Sequence, residues 1–147
     1  MPSRRVTHSV GFLLEDSARL FRRVFGARNR ETTITALQYR VLAYVARRPG
    51  MGQRAMADLI EVEPITLSRM VDRLAAAGLA ERRPDAADRR AWRLYLTRRG
   101  ARHLRAARTI SLAVGEIATE GMSEADRALL VQLVEHVRSN LSRRTGD

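Results

Sequence analysis

The chain has no cysteine and no lysine among its 147 residues, and only 5% of them are aromatic. The absence of cysteine excludes disulfides, thiolate metal sites and thiol-based redox sensing. All 27 basic residues are therefore arginine, which we attribute to genome composition and give no functional weight. Long apolar runs are missing as well, because Glu15, Asp16 and Arg19 interrupt the first apolar segment at helical intervals. We expect neither a signal peptide nor a membrane span, and hence a soluble cytoplasmic protein with no membrane partner.

Motifs for catalysis are also missing from the sequence. It shows no glycine-rich phosphate loop and no nucleophile motif, and His8, His103 and His136 are too scattered to suggest a metal site. Glu15 and Asp16 are neighbours on a predicted helix and point in different directions, so we interpret them as solvated. We predict no enzymatic activity, no metal and no cofactor.

The positive charge of the chain is unevenly distributed. The formal net charge is +11. The segment from Arg82 to Arg108 holds ten arginines and two acidic residues, whereas Thr109 to Asp147 holds four arginines and six acidic residues. Scattered arginines would only keep a protein soluble, but a cluster of this kind favours contact with a polyanion.

The segment from Glu63 to Thr97 organises the chain. Its first half has helical spacing, starts at Pro64 and ends before Gly78, which can adopt the left-handed conformation of a helix end. One side of this helix is apolar, with Ile65, Leu67, Met70, Val71 and Leu74, and the other is polar, with Thr66, Ser68, Arg69 and Arg73. We predict that this helix has one buried apolar face and one polar face that can form hydrogen bonds.

After Gly78 the pattern changes to a period of two. The segments from Leu79 to Arg83 and from Trp92 to Leu96 predict two strands joined by a basic loop. A polar helix followed directly by a basic hairpin is typical of a winged helix-turn-helix that reads DNA.

Two shorter helices precede this unit. Thr35 and Gln38 have the spacing of a capping box, and the helix they open stops before Pro49. A third helix is predicted from Gln53 to Ile60, with Ala55, Met56, Leu59 and Ile60 as packing residues, and a tight turn at residues 61–63 leads into the helix from Pro64.

Long amphipathic helices flank the unit. One is predicted from Val6 to Gly26 before a loop at 27–33, one runs from the cap Thr97 to about Ala118, and the last opens at the cap Ser123. Three apolar stripes around a small domain favour a homodimer, because one domain could cover only part of them.

The segment DAADRRAWRLYLTRRG resembles the wing of the MarR family of bacterial transcription regulators, through Asp88, Arg90, Leu94, Leu96, Thr97 and Gly100. The segments SRMVDRLAAAGLAERRPD and TALQYRVLAYVARRPG resemble the family as well. The resemblance implies a mainly α fold with a small β-hairpin wing (α+β), in which residues 1–147 form one domain. Residues 35–97 would be the winged helix-turn-helix unit, and residues 6–26 and 98–142 the dimerisation helices.

By this resemblance, each subunit of a homodimer places a recognition helix in the major groove of double-stranded DNA and a wing in the minor groove. The candidate DNA-binding residues are Gln53, Arg54, Thr66, Ser68, Arg69, Arg73, Arg89 and Arg90. Arg69 could contact a base or a phosphate, and Arg73 a phosphate or an ion-pair partner such as Asp72 or a wing residue. Asp88 would hold the wing loop, the alternative being a weak exposed ion pair with Arg90. Trp92 is better explained as a core or edge aromatic than as a ligand contact.

The family resemblance also implies a small aromatic or lipophilic effector, with Phe12 and Tyr39 as candidate pocket residues where the first, second and fifth helices meet. The predicted function is sequence-specific regulation of transcription, in most cases repression. The alternatives are a DNA-coating protein of low sequence specificity, a winged-helix protein-interaction module and, more remotely, an enzyme.

Overall fold

The computed structural model describes residues 9–29 and 34–145. They form six helices and three strands: α1 Val10–Arg28, α2 Ala36–Arg47, β1 Met51–Gly52, α3 Gln53–Leu59, α4 Pro64–Ala76, β2 Ala80–Pro84, β3 Trp92–Leu96, α5 Arg98–Ala118 and α6 Glu124–Thr145. A mainly helical chain with one small sheet confirms the predicted fold class.

Side-chain caps mark the starts of α1, α2, α5 and α6, whereas α3 and α4 begin without one. The Gln38 amide donates to Thr35 Oγ1 (3.1 Å) and the Thr35 amide donates to the Gln38 side chain (2.8 Å), which confirms the capping box of α2. Thr97 caps α5 by accepting from the Gly100 amide (2.9 Å), and Ser123 caps α6. These bonds satisfy amides that the first turn of a helix leaves without a partner.

The sheet has β3 in the middle, with antiparallel neighbours β1 and β2. The β2–β3 register pairs Ala80 with Leu96 and Pro84 with Trp92, which confirms the hairpin. Strand β1 was not predicted, because two residues are too few to show an alternating pattern.

The core lies between the helices of residues 36–76 and the inner face of the sheet, and parts of α1 and α5 close it. Its largest fully buried side chains are Phe25, Leu42, Met56, Leu67, Leu74, Leu94, Val41, Val45, Val71 and Val114. Helix α4 is thus held by its apolar side and leaves its polar side to solvent.

Two residues that were predicted to pack inside are exposed. Ile65 is 60% exposed and Ala55 is also on the surface. Leu67 and Leu74 define the buried side of α4, and a residue two positions before Leu67 lies almost opposite it on a helix. The prediction for Ile65 was therefore wrong for a geometric reason.

The limits of the first helix also differ from the prediction. Helix α1 begins at Val10 and continues through Arg28, so the loop expected from Ala27 starts later. Val6 and residues 30–33 lie outside the described residues. The apolar stripe of α1 is divided: Phe25 is buried in the core, whereas Leu13 is 49% exposed.

The apolar stripe of α6 is exposed in a single chain. The exposed members are Leu129, Leu130, Val131, Leu133, Val134 and Leu141. Within the part of the chain that the structure describes, no helix is long and apolar enough to cross a membrane.

Candidate nucleic-acid interface

A tight turn joins α3 to α4, as predicted. Glu61 has a positive φ of 56°, the Val62 amide donates to the Ala57 carbonyl (3.0 Å), and the Glu61 amide donates to the Asp58 carbonyl (3.2 Å). This pair of bonds is the motif that usually ends a helix at glycine. Because it reverses the chain within a few residues, α4 can begin at Pro64.

The outer face of α4 carries the predicted polar residues. Thr66, Arg69 and Arg73 are exposed, and Ser68 is half-buried. Neither Arg69 nor Arg73 forms an ion pair within residues 9–29 and 34–145. The structure thus leaves both guanidinium groups available for a partner, and it does not form the predicted alternative pair of Arg73 with Asp72.

The partner of Asp72 is Arg82, a residue that the sequence did not single out. Arg82 lies on β2 and donates through Nη1 to the Asp72 carboxylate. Its Nη2 donates to the Ser68 carbonyl (2.9 Å) and its Nε to Gln53 Oε1 (2.8 Å). One guanidinium therefore joins the wing to both helices of the helix-turn-helix.

Strand alternation could have identified Arg82. Ala80, two residues earlier on β2, is buried, so Arg82 lies on the same inner side of the hairpin. Its side chain is 22% exposed. Arg82 belongs to the basic segment from Arg82 to Arg108 that was expected to contact a polyanion, but its guanidinium binds α4 instead.

The wing loop is held by two aspartates. Asp85 Oδ1 accepts from the Ala87 amide (2.8 Å), and Asp88 Oδ1 accepts from the Arg90 amide (2.9 Å). Asp85 Oδ2 also pairs with Arg93 Nε (2.7 Å). The Ala87 amide, followed by the Arg93 charge, lowers the pKa of Asp85 below its usual value against the opposing effect of burial.

The arginines of the wing fall into two groups. The side chain of Arg93 binds Asp85 and the Gly50 carbonyl (2.9 Å), and the Arg83 guanidinium stacks 4.2 Å from the ring centroid of Tyr95 and pairs with Glu81. By contrast, the described chain provides no ion-pair partner for two exposed arginines at the tip. These are Arg89 and Arg90.

The remaining residues that the sequence singled out lie at the margins of this surface, on α3 and at the start of β3. Arg54, on the first turn of α3, is exposed, and Gln53 is half-buried beside Arg82. Trp92 is the first residue of β3, next to the wing loop, and is 44% exposed, so it does not belong to the core, which was one of the two positions predicted for it.

The base of the wing is joined to α5. Thr97 Oγ1 donates to the Gly78 carbonyl (2.6 Å), and the Thr97 amide donates to the Leu79 carbonyl (3.2 Å). Gly78, with φ +68°, ends α4 as predicted. The end of α4 and the start of α5 are therefore bonded to each other.

A cavity of about 770 Å³ lies behind the interface, between α1, α2 and the α5–α6 junction. Its lining includes Phe21, Phe25, Tyr39, Met122 and Leu130. The rings of Phe25 and Tyr39 stack with centroids 5.3 Å apart. Tyr39, one of the two candidate pocket residues, lies in the wall of this cavity, and its contact with an effector stays a prediction.

Phe12, the other candidate pocket residue, does not line this cavity. It lines a neighbouring cleft of about 450 Å³ with Glu15, Asp16 and Arg19, and Ala18 and Arg22 border both spaces. Phe12 is nine residues before Phe21, about two and a half helical turns, so the two rings face opposite sides of α1.

Comparison with known proteins places this geometry in a family. Residues 32–91 match the model described as MarR family. The Transcriptional regulator HosA of Escherichia coli O157:H7 is 36% identical over 101 residues, covering 69% of this chain and 75% of HosA. The chain belongs to the MarR family of transcriptional regulators. This confirms the predicted family and the general function of a DNA-binding transcription regulator.

Solved structures show the same fold. A crystal structure of MarR superimposes with a TM-score of 0.90 at 24% identity, covering 96% of each chain. The transcriptional repressor CouR, bound to a 23-mer DNA duplex, superimposes with a TM-score of 0.76 at 23% identity, covering 88% of this chain and 92% of CouR. The roles of individual residues in this MarR-family chain stay predictions.

Proposed function

We propose that this chain represses transcription as a homodimer bound to a palindromic operator. Residues 35–97 of the single domain 1–147 act as the DNA-binding unit, and residues 6–26 and 98–142 as dimerisation helices. The cytoplasm is the proposed location, since bacterial operators lie there.

One observation carries the proposal of a dimer. The apolar face of α6 is exposed over most of its length, with Leu133 at 56% and Leu141 at 58%. A contiguous apolar surface of this kind marks an interface with another protein. A second copy of the same helices presents an equally apolar surface. In a two-fold symmetric dimer the two surfaces cover each other.

The bonds around the wing support the assignment of DNA contacts. Arg82 fixes α4 against the hairpin, so the α4 face with Thr66, Ser68 and Arg69 is presented as a rigid surface for base edges. Arg54, Gln53 and Arg73 lie beside it as phosphate contacts.

The wing tip is assigned to the minor groove. Asp88 holds the amide of Arg90, so the tip is ordered while Arg89 and Arg90 extend from it. A narrow minor groove has an enhanced negative potential that attracts such side chains.

A small apolar or aromatic effector is the proposed signal. The cavity lies where α1, α2 and α6 meet, and α5 connects this region to the wing through Thr97. A ligand that binds better when the two recognition helices no longer match half-sites about 34–36 Å apart weakens DNA binding, typically by about 1–3 kcal/mol.

The test is selection of duplexes from a random library by the purified chain, followed by competition binding at fixed salt. We expect a palindrome bound at least about 10³-fold more tightly than random duplex, by one dimer. Binding of all sequences with equal affinity would support a coating protein instead, and absence of DNA affinity would support an interaction module.

Repression has a separate readout. A reporter gene behind the selected palindrome should be less active when the chain is present than when it is absent. An increase in activity would show an activator.

A further inference from the structure

Ile65 is an apolar side chain on the outer face of the recognition helix, where solvent reaches 60% of it. In the described chain, most other large apolar side chains with high exposure lie on α1 or from Leu112 onward, near the proposed dimer interface. Ile65 and Trp92 are the ones within residues 35–97. The dimer interface therefore gives no reason for an isoleucine at position 65.

Helix formation gives no reason for it either. The first turn of a helix is stabilised by acidic side chains, and a β-branched residue is a poorer helix former than most alternatives. Ile65 follows Pro64 at the start of α4 and belongs to no part of the buried core. Single exposed apolar residues are common, so exposure alone does not indicate a role for Ile65. Any role has to be argued from its position on the helix.

Its position is the centre of the face that approaches DNA. Leu67, Val71 and Leu74 define the buried side of α4, and Ile65 and Arg69 lie together on the opposite side, one turn apart. Four residues span about 6 Å of helix axis, and successive base pairs are about 3.4 Å apart. The two side chains therefore reach base pairs that are adjacent or one step removed.

We propose that Ile65 is a specificity-determining residue that packs against the 5-methyl group of a thymine in the operator. Thymine is the base that presents an apolar group in the major groove, and an aliphatic side chain is its natural contact. The thymine lies within about two base pairs of the position reached by Arg69. The inference rests on the proposed function, which places α4 in the major groove.

The experiment removes the methyl group from the DNA. Duplexes carrying the selected palindrome are prepared with one symmetric pair of thymines replaced by deoxyuridine at a time, and the Kd is measured for the full chain and for Ile65→Ala. At one pair we expect the wild-type Kd to rise about fourfold per half-site, or about fifteenfold for both, since a buried methyl contributes about 0.8 kcal/mol. The same replacement should not change the Kd of Ile65→Ala.

Ile65→Val is the matched control, because it keeps a branched aliphatic tip. It should retain most of the deoxyuridine effect, and both variants should melt within a few degrees of the wild type because the site is exposed. A deoxyuridine effect of equal size in wild type and Ile65→Ala would overturn the assignment, as would its absence at every thymine.

The outcome separates the two proposals. If the chain prefers one palindrome but is insensitive to deoxyuridine, the assignment of Ile65 fails and the proposed function stands. If selection recovers no preferred duplex, both fail.

Discussion

The carbonyl oxygen of Leu79 lies 1.8 Å from the point where a Cβ on Gly100 would stand. Helix α5 therefore packs directly against the backbone that follows α4. Thr97 Oγ1 donates to the Gly78 carbonyl at the same place, so the start of α5 and the end of α4 are held in direct contact.

Replacing Gly100 by alanine should separate these elements. We expect the free energy of unfolding to fall by about 1–3 kcal/mol or more, because a Cβ cannot fit without a backbone shift. Urea unfolding followed by circular dichroism measures this. Gly26→Ala is the control, since nothing lies within 4 Å of its Cβ position, and it should be neutral or stabilise α1 by up to about 1 kcal/mol. Equal losses in both variants would contradict the close-packing argument.

Arg82 should matter for DNA binding although it need not touch DNA. In Arg82→Met the bonds to Ser68, Gln53 and Asp72 are lost, so α4 is less fixed and a free carboxylate faces the duplex. We expect a loss of about 1–2 kcal/mol in stability, moderated because Asp72 is exposed, and a weaker operator affinity.

Arg83→Met is the comparison for Arg82. It removes the same charge from the neighbouring position, where the pair with Glu81 is exposed, and should change stability by less than about 1 kcal/mol. Chemical unfolding and binding at fixed salt measure both variants. If Arg82→Met is no worse than Arg83→Met, Arg82 is not a positioning residue.

Arg90→Ala tests the wing tip. We expect the Kd for the operator to rise about tenfold or more, the dimer to persist, and the slope of log K against log salt to become shallower by about 2 per dimer. Fluorescence anisotropy over a salt series measures these values. Arg105→Ala, an exposed arginine on α5, removes the same charge away from the wing and should change the slope much less. A Kd unchanged by Arg90→Ala would remove the wing from the interface.

The Asp85 carboxyl group should titrate below its ordinary pKa of 3.8, because it accepts the Ala87 amide bond and faces Arg93. A lowered folded-state pKa means that the ionised form stabilises the wing at pH values above the unfolded pKa, and that this contribution is lost as pH falls through the folded value. Carboxyl carbon NMR measures the titration. Arg93→Met should raise the pKa of Asp85 part of the way towards its ordinary value. An Asp85 pKa at the ordinary value in the unmodified chain would contradict the bonds to the Ala87 amide and Arg93.

Leu133→Asp tests the proposed interface of α6. A charge in an apolar contact is strongly unfavourable, so we expect monomers in analytical ultracentrifugation and a loss of operator binding. Gln132→Asp introduces the same side chain at an adjacent position that points away from the apolar stripe and should remain dimeric. A dimeric Leu133→Asp variant would exclude this face as the interface.

The local pattern of the sequence was sufficient for most secondary structure. Thr35 with Gln38, Pro64, Gly78 and Thr97 mark helix ends through bonds or backbone conformations that form within a few residues, so their positions could be predicted. The period-two pattern from Trp92 to Leu96 predicted β3 at its observed limits.

The sequence by itself therefore determined the helices, the β2–β3 hairpin and the family motif, because these depend on neighbours in sequence, whereas the two-residue strand β1 showed no such pattern. The tertiary structure decided that Arg82 binds α4, that Ile65 faces outward and that Phe12 faces away from the cavity around Tyr39. Helical spacing gives relative directions around one axis, but which side is buried depends on the elements packed against it. Contacts between β2 and α4, or between α1 and α2, join residues far apart in sequence. Strand alternation places Arg82 on the inner side of the hairpin, but it does not identify the residues on α4 that Arg82 binds.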